Sequence, residues 1–168
     1  MNRVVVFIGL SLLLLAGIIS CKKDQRDPCL QPTTTVLVAH CVRHFDTSAT
    51  LIDTALPNPV MHPITNQPKQ YYYGGVPRLI QLSFSLSNVS DTSRWVLQPD
   101  SAVAIQDTLS FYYQRQLHFL SNACGYTYFY HLDSVASTRN AIDSIRLEAA
   151  DITNDANVEN LKLIFKKP

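Results

Sequence analysis

The sequence predicts an all-β fold: an antiparallel two-sheet sandwich of immunoglobulin-like or related topology, with a small closed β-barrel as the alternative. Three observations predict it. Apolar and polar residues alternate with period two through most of the chain after Thr33. Seven Phe, eight Tyr and one Trp stand beside 9 Pro and only 5 Gly, a balance that suits short strands joined by proline turns. About seven or eight candidate strands are spaced by turn residues, as in sandwiches.

The first candidate strand, Val36 to Val42, is apolar on both faces, as a strand covered on both sides would be. Thr50 to Thr54 is a shorter candidate. From Ala55 to Val76 the prolines at 57, 59, 63 and 68 rule out an interior strand over that length, because proline donates no ladder hydrogen bond, and a long surface loop is expected. Ile80, Leu82, Phe84 and Leu86 then alternate with Gln81, Ser83, Ser85 and Ser87, the clearest strand signal in the chain. Trp95 to Gln98 adds another short strand.

A long alternation starts near Thr108. Leu109, Phe111, Tyr113, Leu117 and Phe119 share one face, interrupted by Arg115, whose charged head can snorkel at an edge. After Asn122-Ala123-Cys124-Gly125 the pattern restarts with Tyr126, Tyr128, Tyr130 and Leu132, so the two runs read as a hairpin. A short helical turn is expected around residues 134–142. Ile145, Leu147 and Ala149 form one more alternating run, and Leu161, Leu163 and Phe165 another. Between them Asp151 to Asn160 reads as an Asn/Asp-rich connection.

Ahead of the strands lies a segment of another kind. Met1-Asn2-Arg3 is a short positive end, and Val4 to Ile19 is nearly unbroken apolar sequence. As a helix that run reaches about 24 Å, short of the roughly 30 Å hydrocarbon core, so it reads as a signal peptide over residues 1–20. Its end, Ile18-Ile19-Ser20-Cys21, resembles the lipobox of bacterial lipoproteins. The resemblance implies cleavage after Ser20 and lipidation of Cys21, where two or more acyl chains, each worth about 0.8 kcal/mol per buried CH₂, make a lasting membrane anchor. Residues 21–28 are polar, end at Pro28 and read as the tether, leaving 29–168 as a single β-sandwich domain. Lys22 rather than Asp follows Cys21, which by analogy to lipoprotein sorting favours the outer membrane.

Composition narrows the function. The full chain carries 14 Lys+Arg and 13 Asp+Glu, and loss of the signal peptide removes only Arg3. A formally neutral mature chain lacks the basic surface that phosphate neutralisation requires, so nucleic acid is excluded as a partner. The motifs G-x-S-x-G and H-E-x-x-H, a glycine-rich phosphate loop and an EF-hand loop are all missing, and no cofactor is expected.

The candidate site residues are few. With Cys21 taken by lipid, three cysteines remain and allow three pairings; Cys41 lies within a strand, whereas Cys29 and Cys124 lie at strand approaches, so Cys29–Cys124 is the first choice. His40, Cys41 and His44 suggest zinc, but on a strand the histidines face opposite to the cysteine, and no metal is expected there. Asp151, Asn154, Asp155 and Asn157 could hold calcium weakly, although such residues also simply favour turns. Tyr71-Tyr72-Tyr73 cannot all face a core, so at least one is expected on the surface, as in aromatic platforms for glycans or proteins.

A wider resemblance rests on three segments: Asp27-Pro28-Cys29-Leu30-Gln31-Pro32-Thr33-Thr34, the hairpin Asn122 to Leu132 containing Ala123-Cys124-Gly125-Tyr126, and the closing Asn157-Val158-Glu159-Asn160-Leu161-Lys162-Leu163-Ile164-Phe165. Together they are similar to a family of uncharacterised lipoproteins from Bacteroidota. The resemblance implies a short, lipidated, β-rich protein with no assigned function and supports the pairing of Cys29 with Cys124. Cys41 and the tyrosine-containing proline-rich region depart from the pattern, and no catalytic residue carries over.

The functional expectation is a cell-envelope lipoprotein, attached to the membrane through Cys21, that works as a non-enzymatic interaction or accessory module for an envelope protein or glycan. The alternative is an envelope hydrolase with an unrecognised active site, drawing on His118, His131 and Asp133 near the hairpin.

Overall fold

A computed structural model describes residues 28–46, 49–65 and 76–167. The proposed signal peptide, Cys21, most of the tether and Tyr71, Tyr72 and Tyr73 therefore lie outside the described residues. The chain divides into two compact units, Met1–Leu30 and Gln31–Pro168, and the architecture below belongs to the second.

Among the described residues ten strands follow in order: β1 Leu37–His44, β2 Leu51–Asp53, β3 Val60–Pro63, β4 Gln81–Phe84, β5 Thr92–Gln98, β6 Asp107–Ser121, β7 Gly125–Ser137, β8 Ile142–Leu147, β9 Asp151–Ile152 and β10 Leu161–Phe165. They form two five-stranded sheets. The first runs β2-β1-β10-β8, with β4 also pairing β1; the second runs β3-β5-β6-β7-β9. The sheets do not close into a barrel, so the sandwich expectation holds and the barrel alternative falls. All strand pairs are antiparallel except one. β1 and β10 run parallel, with Ala39 opposite Leu161 and Arg43 opposite Phe165.

Alternation becomes a core because the inward residues of both sheets meet across one apolar layer. From the first sheet come Leu37, Ala39 and Cys41 of β1, Leu82 and Phe84 of β4, and Leu161, Leu163 and Phe165 of β10. From the second come Trp95 and Leu97 of β5, Leu109, Phe111 and Tyr113 of β6, and Tyr130 and Leu132 of β7. Phe84 joins the layers: its ring lies 5.1 Å from Trp95 and 5.3 Å from Phe111, both tilted. Burial of such a ring is worth roughly 1.5–3 kcal/mol, with a further contribution from the tilted aromatic geometry. As its sequence requires, β1 is buried on both faces, Val38 and Val42 included.

Four expectations need correction. The proline-rich stretch after Ala55 is not loop throughout, for β3 lies within it, pairing Met61 with Leu97 and Pro63 with Trp95. An edge strand tolerates proline at its end, and β3 is an edge. The helical turn around 134–142 is absent: β7 continues to Ser137, and β8 begins at Ile142. The connection from Asp151 to Asn160 contains β9 and ends in a buried asparagine. Asn160 Oδ1 accepts from Val38 N–H at 3.0 Å, while Nδ2 donates to the Ala149 and Asp151 carbonyls at 3.2 and 3.1 Å. Finally, Leu117 and Phe119 are exposed rather than buried.

A second buried polar group holds the passage between sheets. Asp107 opens β6 in the second sheet and is 1% exposed. Its Oδ1 accepts from Thr138 Oγ1 at 2.8 Å and Asn140 N–H at 2.7 Å; its Oδ2 accepts from the Ala141 and Ile142 N–H groups at 2.8 Å each. Those donors lie where the chain leaves β7 and enters β8 of the first sheet.

Cys29 and Cys124 are disulfide-bonded, as the sequence suggested, and Cys41 is a free buried thiol. Burial pushes the Cys41 thiol up to about 12. Replacing Cys29 or Cys124 with Ser should cost about 2–5 kcal/mol in urea unfolding, because the bridge closes a long loop in the unfolded chain. Native protein treated with a thiol reagent should leave Cys41 unlabelled until it is unfolded; rapid labelling of Cys41 in folded protein would contradict its place in the core.

Candidate functional site

The longest strands build the most distinctive surface. β6 pairs with β5 only over Asp107 to Tyr112, and β7 pairs with β9 only at Tyr130 and His131. Between these limits the β6–β7 hairpin continues as a two-stranded ribbon, Gln114 opposite His131 at its root and Ser121 opposite Gly125 at its tip. Gly125, at φ +74°, occupies the left-handed backbone conformation that glycine adopts without strain, which lets the turn close.

A two-stranded ribbon is marginal alone in water, and this one is braced at both ends. At the root, the loop after β4 covers one face. Tyr113 Oη donates to the Ser87 carbonyl at 3.0 Å and shares a 2.7 Å hydrogen bond with Ser93 Oγ. Burial raises the Tyr113 phenol above its ordinary range, so it stays a neutral donor. Arg115 closes the covered zone, donating from Nε to Asp91 Oδ1 at 2.6 Å and from Nη1 to the Asn88 carbonyl at 2.7 Å. Toward the tip, Thr127 Oγ1 donates to the Thr33 carbonyl at 2.7 Å, and Cys124 in the turn carries the disulfide.

Beyond Arg115 the same face opens, with Tyr128 still partly buried against the core. Leu117 lies opposite Tyr128, and Phe119 lies opposite Tyr126 with the ring centroids 5.0 Å apart. Leu117, Phe119 and Tyr126 are 58%, 48% and 65% exposed, values that make this an exposed apolar face rather than core. On the reverse face His118 stacks on Phe129, centroids 4.2 Å apart. From Thr108 to Leu132 the sequence contains no Asp or Glu, so the whole ribbon lacks acidic charge.

A polar groove of about 590 Å³ flanks the root, lined by Gln114, Gln116, Phe129, His131, Asp151 and Thr153. Within it His131 Nδ1–H donates to Asp151 Oδ1 at 2.6 Å. The remaining hydrolase candidates do not join this pair. Asp133 accepts from Gln114 Nε2 at 3.0 Å, and His118 is stacked on Phe129. His118, His131 and Asp133 are therefore engaged in three separate contacts and do not converge on a common reacting position.

The metal candidates are also dispersed. His40 turns away from Cys41, and its Nδ1–H donates to Glu159 Oε2 at 3.0 Å. Its Nε2 lies 3.1 Å from Asp53 Oδ1 without forming a hydrogen bond. Asp155 Oδ1 accepts from Asn157, Asn154 donates to the Pro32 carbonyl, and Asp151 is paired with His131. Among the described residues no group of three or more His, Cys, Asp or Glu side chains is arranged to hold a metal ion.

The hydrogen bond to Asp151 raises the pKa of His131 above its ordinary value, with the charges of Asp151 and Asp133 adding to the effect. A raised folded-state pKa stabilises the protonated form, so any stability this pair contributes is full below the unfolded value near ~6.5 and is lost as pH rises through the folded value. Titration of the His131 ring by NMR should give a midpoint above that of a free histidine, falling toward it in Asp151→Asn. An unchanged midpoint in that variant would show that the pair does not form in solution.

No curated protein and no solved structure matches the chain. One family does, over residues 69–165, a span that runs from before β4 through β10 and includes the whole ribbon. The chain belongs to that family, described as a family of unknown function (DUF6452).

Proposed function

We propose that the protein is a lipid-anchored component of the cell envelope, held at the outer membrane through Cys21, that works as a non-enzymatic interaction module. The observation that carries the non-enzymatic part is the contrast on the surface. The ribbon presents an uncovered apolar face, while the histidines and carboxylates around it are engaged in separate structural contacts. An apolar face of this kind favours association over bond-making chemistry. The anchor part rests on the lipobox-like Ile18-Ile19-Ser20-Cys21 after an apolar run too short to span a bilayer comfortably. The partners on this reading are the membrane, through the acyl chains, and an envelope protein or glycan, for which Tyr71, Tyr72 and Tyr73 are the first residues to substitute. No nucleic acid and no cofactor enters.

Cys21→Ala should abolish incorporation of a palmitate analogue and release the protein from the membrane fraction after a high-salt wash, since the acyl chains supply the anchoring free energy. An unlabelled wild type, or a Cys21→Ala protein that stays with the membrane, would end the lipoprotein reading.

A further inference from the structure

We infer that the apolar face of the β6–β7 ribbon, Leu117, Phe119 and Tyr126, lies against the bilayer that carries the lipid anchor, so that the protein meets its membrane at two places. The inference rests on the lipid-anchor reading above and adds to it an orientation and a second contact.

Chain length gives the first argument. Eight residues separate Cys21 from Cys29, and a fully extended chain covers no more than about 3.5 Å per residue, so Cys29 lies within about 28 Å of the acylated residue. Cys29 is disulfide-bonded to Cys124, which occupies the turn at the ribbon's tip. Chain geometry alone thus keeps the tip near the membrane. The opposite end of β6 is about 45 Å farther along the strand at about 3.3 Å per residue.

Surface chemistry gives the second. The exposed large apolar side chains of the ribbon are one leucine, one phenylalanine and one tyrosine on a single face, an apolar body with a phenol suited to the headgroup boundary. Charge gives the third. Carboxylates are costly near the surface of a bilayer bearing anionic lipids, and from Thr108 to Leu132 there are none; the ionisable side chains there, apart from tyrosines, are Arg115, His118 and His131. A few apolar side chains would not hold a soluble protein on a membrane. Once acyl chains confine it there, the same side chains add an intramolecular-like contact at high effective concentration.

The test uses the full-length lipidated protein purified from membranes and reconstituted in phosphatidylcholine vesicles containing brominated phosphatidylcholine. The single native tryptophan, Trp95, is buried and gives a constant background. Tyr126→Trp adds a reporter at the tip, and Val103→Trp adds one on the loop before β6; both positions are exposed, so neither substitution disturbs the core. The added emission of Tyr126→Trp should be blue-shifted and quenched by the brominated lipid, while that of Val103→Trp should be neither. Absence of quenching at position 126 in protein that floats with the vesicles, or equal quenching at both positions, overturns the inference and leaves the anchor intact. Protein that carries no palmitate label and does not float removes the anchor reading, and the inference with it.

Discussion

The sandwich depends on how the chain passes from one sheet to the other at Asp107. A sheet completes its own backbone hydrogen bonds along its strands, but a crossover exposes consecutive N–H groups with no ladder partner. Here those groups belong to Asn140, Ala141 and Ile142, and the two oxygens of one buried carboxylate take all three. The same carboxylate accepts the Thr138 hydroxyl, whose oxygen in turn accepts from the Thr108 N–H. The start of β6 is thereby fixed to the start of β8. With that corner set, Ile142 enters the core, β8 aligns on β10, and β10 falls beside β1 in the parallel register that completes the first sheet. Asn160 performs the matching task at the far end, giving Val38 of β1 a side-chain acceptor while tying down the segment between β8 and β9.

Once the two sheets are registered, the ribbon follows from a difference in strand length. β6 has 15 residues and β7 has 13, whereas β5 has 7 and β9 has 2, so the long pair outruns its neighbours. Its inward face is core as far as Tyr113, is roofed at Arg115 by the loop after β4, and is uncovered from Leu117 onward. One alternating stripe thus changes physical role along its length without any change in residue type. An exposed apolar surface arises where the partner sheet ends, which is the link between the architecture and the proposed function.

The same distinction explains what could be read in the sequence. Period two identified β4, β6, β7 and β10 because each has one face that must be dry, an unbroken apolar run identified β1 as a strand covered on both faces, and the turn at Asn122 to Gly125 announced the hairpin. The bridge was legible from the placement of Cys29 and Cys124 around a strand-bound Cys41. Periodicity reports which residues share a face, but not whether anything lies opposite, so Leu117 and Phe119 read as core. β3 was hidden because proline at a strand's end looks like proline in a loop until the strand is known to be an edge. Asp107 and Asn160 carried no local signal at all. Their partners lie 31 to 35 and 9 to 122 residues away, and only the tertiary fold brings them together. The parallel pairing of β1 with β10 has the same cause.

The central claim is that one buried carboxylate fixes the crossover on which both sheets depend, and equilibrium urea unfolding of Asp107→Asn tests it most directly. The amide keeps the shape but offers at most one acceptor oxygen, so at least one pair of donors loses its partner and the charge that strengthened all four bonds is gone. The account predicts a loss of at least about 2 kcal/mol, given that removal of a partner from buried groups costs about 1–3 kcal/mol for each group left unpaired. A variant within about 0.5 kcal/mol of the wild type, the range ordinary for a surface substitution, would contradict it.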